Sequence, residues 1–323
     1  MPLAPSDRRI GKRLKLRDLH ILLAVVECGN MSKAARQLSV SNPVVTKSIA
    51  DLEHTLGVRL LDRSPQGVDL TIYGRAILDG SLIAFDELQQ AVKNIEFLAN
   101  PTAGEIKIAC NFATGIGFIS AVIDQLSRQF PRIVFNVATV PEAGALRALE
   151  ERTVDLVIGR MFAPVIGDHL NAEVLYDDPF VVAAGLENPW ARRRKVQLAE
   201  LVNEPWALPT LDSPFGAVVK EAFNAEGLPV PESVVIASVP IRSALLASGR
   251  FLTIVPSSTL SFPSKNSTFK ALPIELSIAR RPIGAITLRH RTINPLVQLV
   301  VECAREVAKR PMGKSLRSKP RPG

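Results

Sequence analysis

Apolar residues recur at spacings of three and four through most of the first hundred positions, then give way to short blocks. Leu19, Leu22, Leu23 and Val26 form the first helical stripe. Ala34, Ala35 and Leu38 form a second, and its alanines let two helices cross closely. A third follows Ser39-Val40-Ser41-Asn42-Pro43, with Val45, Ile49, Leu52 and Leu56 spaced four, three and four. Gly57 to Thr71 reads as a short hairpin with Arg63 near its tip. The stretch 72–99 lacks proline and carries Leu78, Leu82, Phe85, Leu88, Val92 and Ile95 on one stripe. A stripe that long, with no obvious intramolecular partner, suggests one helix packing against its own copy. The alternative is a helix lying on its own downstream domain. Residues 100–104, Asn-Pro-Thr-Ala-Gly, read as a hinge.

Beyond the hinge the pattern alternates. Strands are predicted over 106–110, 133–139 and 155–159, with helices over 119–130 and 145–151. A second series has strands over 180–184, 206–208, 234–238 and 251–255, with helices over 217–225 and 242–248. Strand 283–288 and helix 295–309 end the series. Such alternation predicts parallel α/β sheets, and two sets imply two lobes with a cleft between them.

The third helix has two unlike faces. With Pro43 at zero on a wheel of about 100° per residue, Thr46, Lys47 and Ala50 fall within roughly 60° of it. Val45, Ile49, Leu52 and Leu56 fall near the opposite pole. Ser41 can cap the helix, and Pro43 suits its first turn. Short polar side chains at a helix N-terminus suit close approach to base edges in the major groove of DNA. Lys33 and Arg36 on the preceding helix are placed for phosphate, and Asn30 or Ser32 can cap that helix. The candidate DNA-contacting set is Ser32, Lys33, Arg36, Ser41, Asn42, Pro43, Thr46, Lys47 and Arg63.

The same residues resemble the winged helix-turn-helix of LysR-type transcriptional regulators. The likeness lies in Ala34-Ala35 with Leu38, Val40-Ser41-Asn42-Pro43, Leu52-Glu53 followed by Leu56-Gly57-Val58, Asp62-Arg63-Ser64 and Leu70-Thr71. It is dense to about residue 75 and weaker to about 309. Asn42 stands where the family usually has Gln, and Thr46-Lys47 where it usually has Ser-Arg. Lys lacks the planar bidentate contact that Arg makes to guanine, so base preference is altered here. The sensor stretch resembles the sub-branch typified by the galactose-binding-protein regulator, which hints at sugar- or nutrient-linked control.

The resemblance implies an α/β chain with an all-α N-terminal part. Its pieces are a winged helix-turn-helix at 1–71, a linker and dimerisation helix with hinge at 72–103, and an effector-binding domain of type II periplasmic-binding-protein fold at 104–310. Lobe I takes about 104–177 and 283–310, and lobe II about 178–282. Crossovers are expected near Asp177-Asp178 and Arg281-Pro282. Residues 311–323 form a basic tail. Dimers and tetramers, a coinducer that is anionic or sugar-related, and RNA polymerase (for an activator) are implied partners.

Ligands of open α/β sheets sit at the carboxyl ends of strands, near helix N-termini. Asn111, Thr114, Arg160, Thr210, Ser213 and Arg242 occupy such loops and are the effector-binding candidates. Hydroxyls there are also ordinary helix caps, and arginines ordinary ion-pair partners.

The chain has 323 residues, a formal charge of +8 and a pI near 9.6. The excess is uneven, since the tail alone carries Lys314, Arg317, Lys319 and Arg321 with no acid. This suits an anionic partner but is a weak signal alone. Cys28, Cys110 and Cys303 are scattered, which fits a reducing cytoplasm and buried thiols. No metal site or cofactor is expected. Glu27 follows an apolar run too short for a signal peptide, and no run is long enough to span a membrane. No Gly-x-Ser-x-Gly elbow, P-loop or complete dinucleotide fingerprint occurs, so no catalytic residues are assigned. A solute-binding protein would explain the lobes but not the first 75 residues, and an α/β enzyme has no nucleophile behind it.

Overall fold

A computed structural model describes residues 13–64, 67–162, 167–232, 235–261 and 268–309. The Arg63 side chain, residue 234 of the expected strand 234–238 and the basic tail lie outside the described residues. The chain divides into two compact units, Met1–Val92 and Lys93–Gly323.

In the first unit, α1 (Leu16–Cys28), α2 (Met31–Gln37) and α3 (Asn42–Leu56) enclose one core. Leu22, Val25, Ala34, Val45 and Ile49 are fully buried in it. The hairpin is β1 (Leu61–Ser64) paired antiparallel with β2 (Gly67–Leu70). Glu53 fixes its approach by accepting hydrogen bonds from the amides of Leu60 (2.8 Å) and Leu61 (3.3 Å). Thr71 then caps α4 (Ile72–Ala99), its hydroxyl accepting from the Gly74 amide. A Cβ at Gly74 would lie 2.0 Å from the Leu60 carbonyl oxygen, so this close approach requires glycine.

The apolar pattern of α4 divides. Phe85 meets His20 of α1 edge-on at 5.9 Å and packs on the first unit's core, and Leu78 is buried too. Leu82, Leu88, Val92 and Ile95 stay exposed, with Leu88, Val92 and Ile95 at 47%, 54% and 65%. Leu78 and Phe85 therefore leave the expected seam, because α1 covers the side of the helix on which Phe85 lies. Leu56, expected in the core of α3, is also exposed, since it ends the helix just before Gly57.

The second unit holds two larger sheets. The first has the order β4-β3-β5-β12-β6, built from β3 (Ala103–Cys110), β4 (Arg132–Thr139), β5 (Leu156–Arg160), β6 (Leu170–Tyr176) and β12 (Ile283–Leu288). The second has β7 (Phe180–Gly185) between β10 (Leu252–Pro256) and β11 (Phe269–Ala271). Beside it β8 (Ala207–Leu208) pairs with β9 (Val235–Ile236). Helices α5 (Ser120–Gln129) and α9 (Pro295–Lys309) cover one face of the first sheet, and α6 (Glu142–Glu150) lies on the other. Helices α7 (Pro214–Ala225) and α8 (Val239–Ala247) pack on the second sheet and its β8–β9 annexe.

Neither larger sheet is wholly parallel, although the alternation predicts parallel sheets. β12 runs antiparallel to β5 and β6, and β7 runs antiparallel to β10 and β11. The cause is connectivity. The chain leaves the first sheet at the carboxyl end of β6 and returns at that same end, with Ile283 opposite Tyr176, so β12 runs the other way. β6 and β11 have no counterpart in the predicted pattern, and β6 gives itself away poorly because Asn171 and Glu173 interrupt its apolar residues.

Candidate nucleic-acid interface and ligand cleft

On α3, Asn42, Pro43, Thr46, Lys47 and Ala50 are exposed, while Val45, Ile49 and Leu52 are at most 1% exposed. Ser48 is buried as well, its hydroxyl bonded to the Asp18 carboxylate, which ties α3 to α1. Ser32, Lys33 and Arg36 are exposed on α2. The Asn42 amide donates to the Ser32 hydroxyl at 2.9 Å, joining the two helices across the turn. Asn30, rather than Ser32, caps α2, accepting from the amides of Ser32 and Lys33. Ser41 holds the cap position of α3 but makes no capping bond with its side chain. Its hydroxyl therefore stays on the exposed surface with the rest of the set.

The sensor candidates separate into caps, a latch and one isolated cation. Asn111 follows β3 and accepts from the Thr114 amide at 2.9 Å, so Asn111 is the cap. Thr114 is buried in the turn that follows and presents no helix-terminal hydroxyl to a cleft. Ser213 caps α7, accepting from Gly216 and donating to the Thr210 carbonyl. The Thr210 side chain lies on the exposed surface.

Arg160, expected from its loop to offer charge to a ligand, does not. Its guanidinium donates to the backbone carbonyls of Asp178 and Arg281, each at 2.6 Å, and pairs with the Asp178 carboxylate. It also lies 4.4 Å over the Phe180 ring. Asp178 accepts further bonds from the Ser257 hydroxyl and from the amide and hydroxyl of Ser258. One arginine thus fastens both chain crossovers between the sheets. Sequence reasoning misses the roles of Asp178, Ser257 and Ser258, because nothing local marks Asp178, 18 positions from Arg160, as its partner, or the two serines, 79 and 80 positions from Asp178, as partners of that carboxylate. It also misses Phe162, whose ring meets Phe215 of α7 at 5.4 Å.

Arg242 is different. It is 2% exposed, and its hydrogen bonds go to neutral acceptors, the Thr253 hydroxyl (3.0 Å) and the Ile254 carbonyl (3.2 Å). Its Nε has no partner. Burial brings its pKa down to about 10. It also sits in the first turn and a half of α8, where the helix dipole disfavours a cation. Cys110, at the end of β3, has its thiol pushed up to about 11 by burial, so it is a poor nucleophile at neutral pH.

Comparison with known proteins follows this division. A family described as bacterial regulatory helix-turn-helix protein, lysR family, matches residues 16–75, and the LysR substrate binding domain matches residues 99–309. The HTH-type transcriptional regulator GbpR of Azospirillum brasilense is 26% identical over 97% of this chain and 92% of its own length. The HTH-type transcriptional regulator TdcA of Escherichia coli K12 is 25% identical, covering 90% and 93%. Among solved structures, a full-length OxyR variant from Pseudomonas aeruginosa superposes with a TM-score of 0.65 at 19% identity, covering 94% of this chain and 98% of that one. CbnR complexed with its target DNA gives 0.54 at 22%, covering 91% and 100%. At these identities the structures speak to fold alone. The relatives named by sequence are regulators, not enzymes, and no described helix is long and apolar enough to cross a membrane. With both parts of the chain matched by models of one group, this protein belongs to the LysR family of DNA-binding transcriptional regulators with an effector-binding domain.

Proposed function

We propose that the exposed arc of α3 reads an operator of imperfect dyad symmetry, and that the outer row of α4 joins two copies. A small anionic effector held between the two sheets then sets the geometry of the paired readers. In this reading the protein acts in the cytoplasm, where its operator is. The observation that carries the reading is the partition of α3, with Asn42, Thr46 and Lys47 on the open side and a dry opposite face. The test is a gel shift on the chain's own promoter region, which a solute-binding protein or an enzyme would not retard. Lys47→Ala should weaken binding. A phosphate contact would lower the salt slope by about one for every sequence, and a base contact would relax specificity at one position. Unchanged affinity at all salt concentrations would remove α3 from the interface.

An anionic effector is supported by Arg242. A buried guanidinium without a carboxylate is costly, and an anion at the start of α8 would complete it. That helix begins just past the carboxyl end of β9, the edge at which ligands of such sheets bind. Arg242→Gln should reduce effector affinity about ten- to a hundredfold, as expected for a lost charged hydrogen bond of about 1.5–3 kcal/mol. Effector titration of reporter output, with a ligand-free gel shift alongside, reads this. A normal response in the variant would move the anion elsewhere.

A further inference from the structure

β5 is buried along its whole length, yet it carries a glycine at 159. Two glycines face each other in this ladder, Gly159 on β5 and Gly284 on β12. Gly284 has a steric reason, since a Cβ there would lie 2.8 Å from both the Glu173 carbonyl oxygen and the Met161 sulfur. Gly159 has none. Its φ is not positive, and a Cβ would touch only Val157, at 3.9 Å. A strand glycine with no backbone reason weakens the strand and commonly marks a close approach by something else. The space beside it is a cavity of about 250 Å³ between the sheet and α6.

Leu146, Val157, Leu170 and Ile286 form the apolar side of this cavity, with Gly159 between them, and the buried Asn111 and Arg160 also line it. Polar groups gather at its margin. His169 Nε2 lies 2.9 Å from Glu150 Oε1, and both side chains are about half exposed. The one buried cation in the lining, Arg160, is already paired with the Asp178 carboxylate, and Glu150 stands against His169, so an anion gains little inside. The volume suits roughly ten non-hydrogen atoms at interior packing density.

We propose that lobe I holds a second small-molecule site, kept open by Gly159, for a neutral, mainly apolar molecule of single-ring size. It is formed on the α6 face of the first sheet and is separate from the anion position at Arg242. Phe162 also lines it, and the same ring packs on Phe215 of α7. An occupant would therefore press on a contact that joins the two lobes.

The test uses the full chain, with indole and toluene as neutral probes and benzoate as the charged control. Thermal shift and ligand-observed NMR should show both neutral probes binding the wild type, and benzoate binding at least tenfold more weakly. Gly159→Leu should fold with an unchanged or raised Tm and lose at least tenfold in probe affinity. Leu146→Trp fills the same space from the helix side and should do likewise. Arg242→Gln should bind indole normally, which separates this site from the anionic-effector reading. Failure of the wild type to bind either neutral probe, or retention of binding in both filled variants, would overturn the proposal. So would a clear loss of stability in both, because the space would then be occupied by the protein's own packing.

Discussion

Arg160→Met should lower the stability of the sensor unit by about 3–5 kcal/mol, the range for removing one partner of a buried ion pair. For a unit of this size that amounts to a fall in Tm of roughly 10 °C or more. The cause is the Asp178 carboxylate, left buried beside the two crossovers and still held by Ser257 and Ser258. Asp178→Asn in the same chain should restore part of the loss, because the pair then vanishes instead of losing one half. Calorimetry on the two single variants and the double variant measures the coupling. An Arg160→Met protein with an unchanged Tm but no effector response would return Arg160 to the ligand.

Leu88→Glu combined with Val92→Glu should halve the mass seen by light scattering. Both side chains are exposed on α4 in the single chain, so the folded units tolerate the charges. In a seam between copies each unpaired carboxylate would cost several kcal/mol, on the order of what a dimer can lose before dissociating. Phe85→Glu should behave differently. Phe85 packs on the core of its own unit against His20, so a charge there should lower that unit's Tm before it alters the mass. An unaltered mass in the double variant would mean that the exposed row of α4 is not the seam.

Much of the DNA-reading unit is legible because its signals are local. Helical spacing separates Thr46 and Lys47 from Val45 and Ile49 within one turn, and the turn before Pro43 is a short-range matter. The linker helix is equally legible in extent, but its stripe reads as a single face. A helical wheel shows which residues share a side and cannot show that α1 covers Phe85. The cleft is less legible still. A loop after a strand predicts a helix cap or a ligand group equally well. Asn111 and Ser213 are caps, and Thr114 is buried behind one.

By itself the sequence determined most of the elements and their order, the two-faced α3 and the family, since each rests on residue types a few positions apart. Only the tertiary structure decided where charge is spent. Arg160 and Arg242 are both expected from the sequence in ligand-facing loops, yet one ends β5 and the other lies in α8, and nothing in their neighbours along the chain tells their partners apart. One meets Asp178 across a crossover and becomes a latch, while the other is enclosed among neutral groups. The same holds for Gly159, whose missing side chain matters only because β12, β6 and α6 close around the space it leaves. Such roles are set by residues far apart in sequence, and long-range packing is the one quantity that periodicity does not carry.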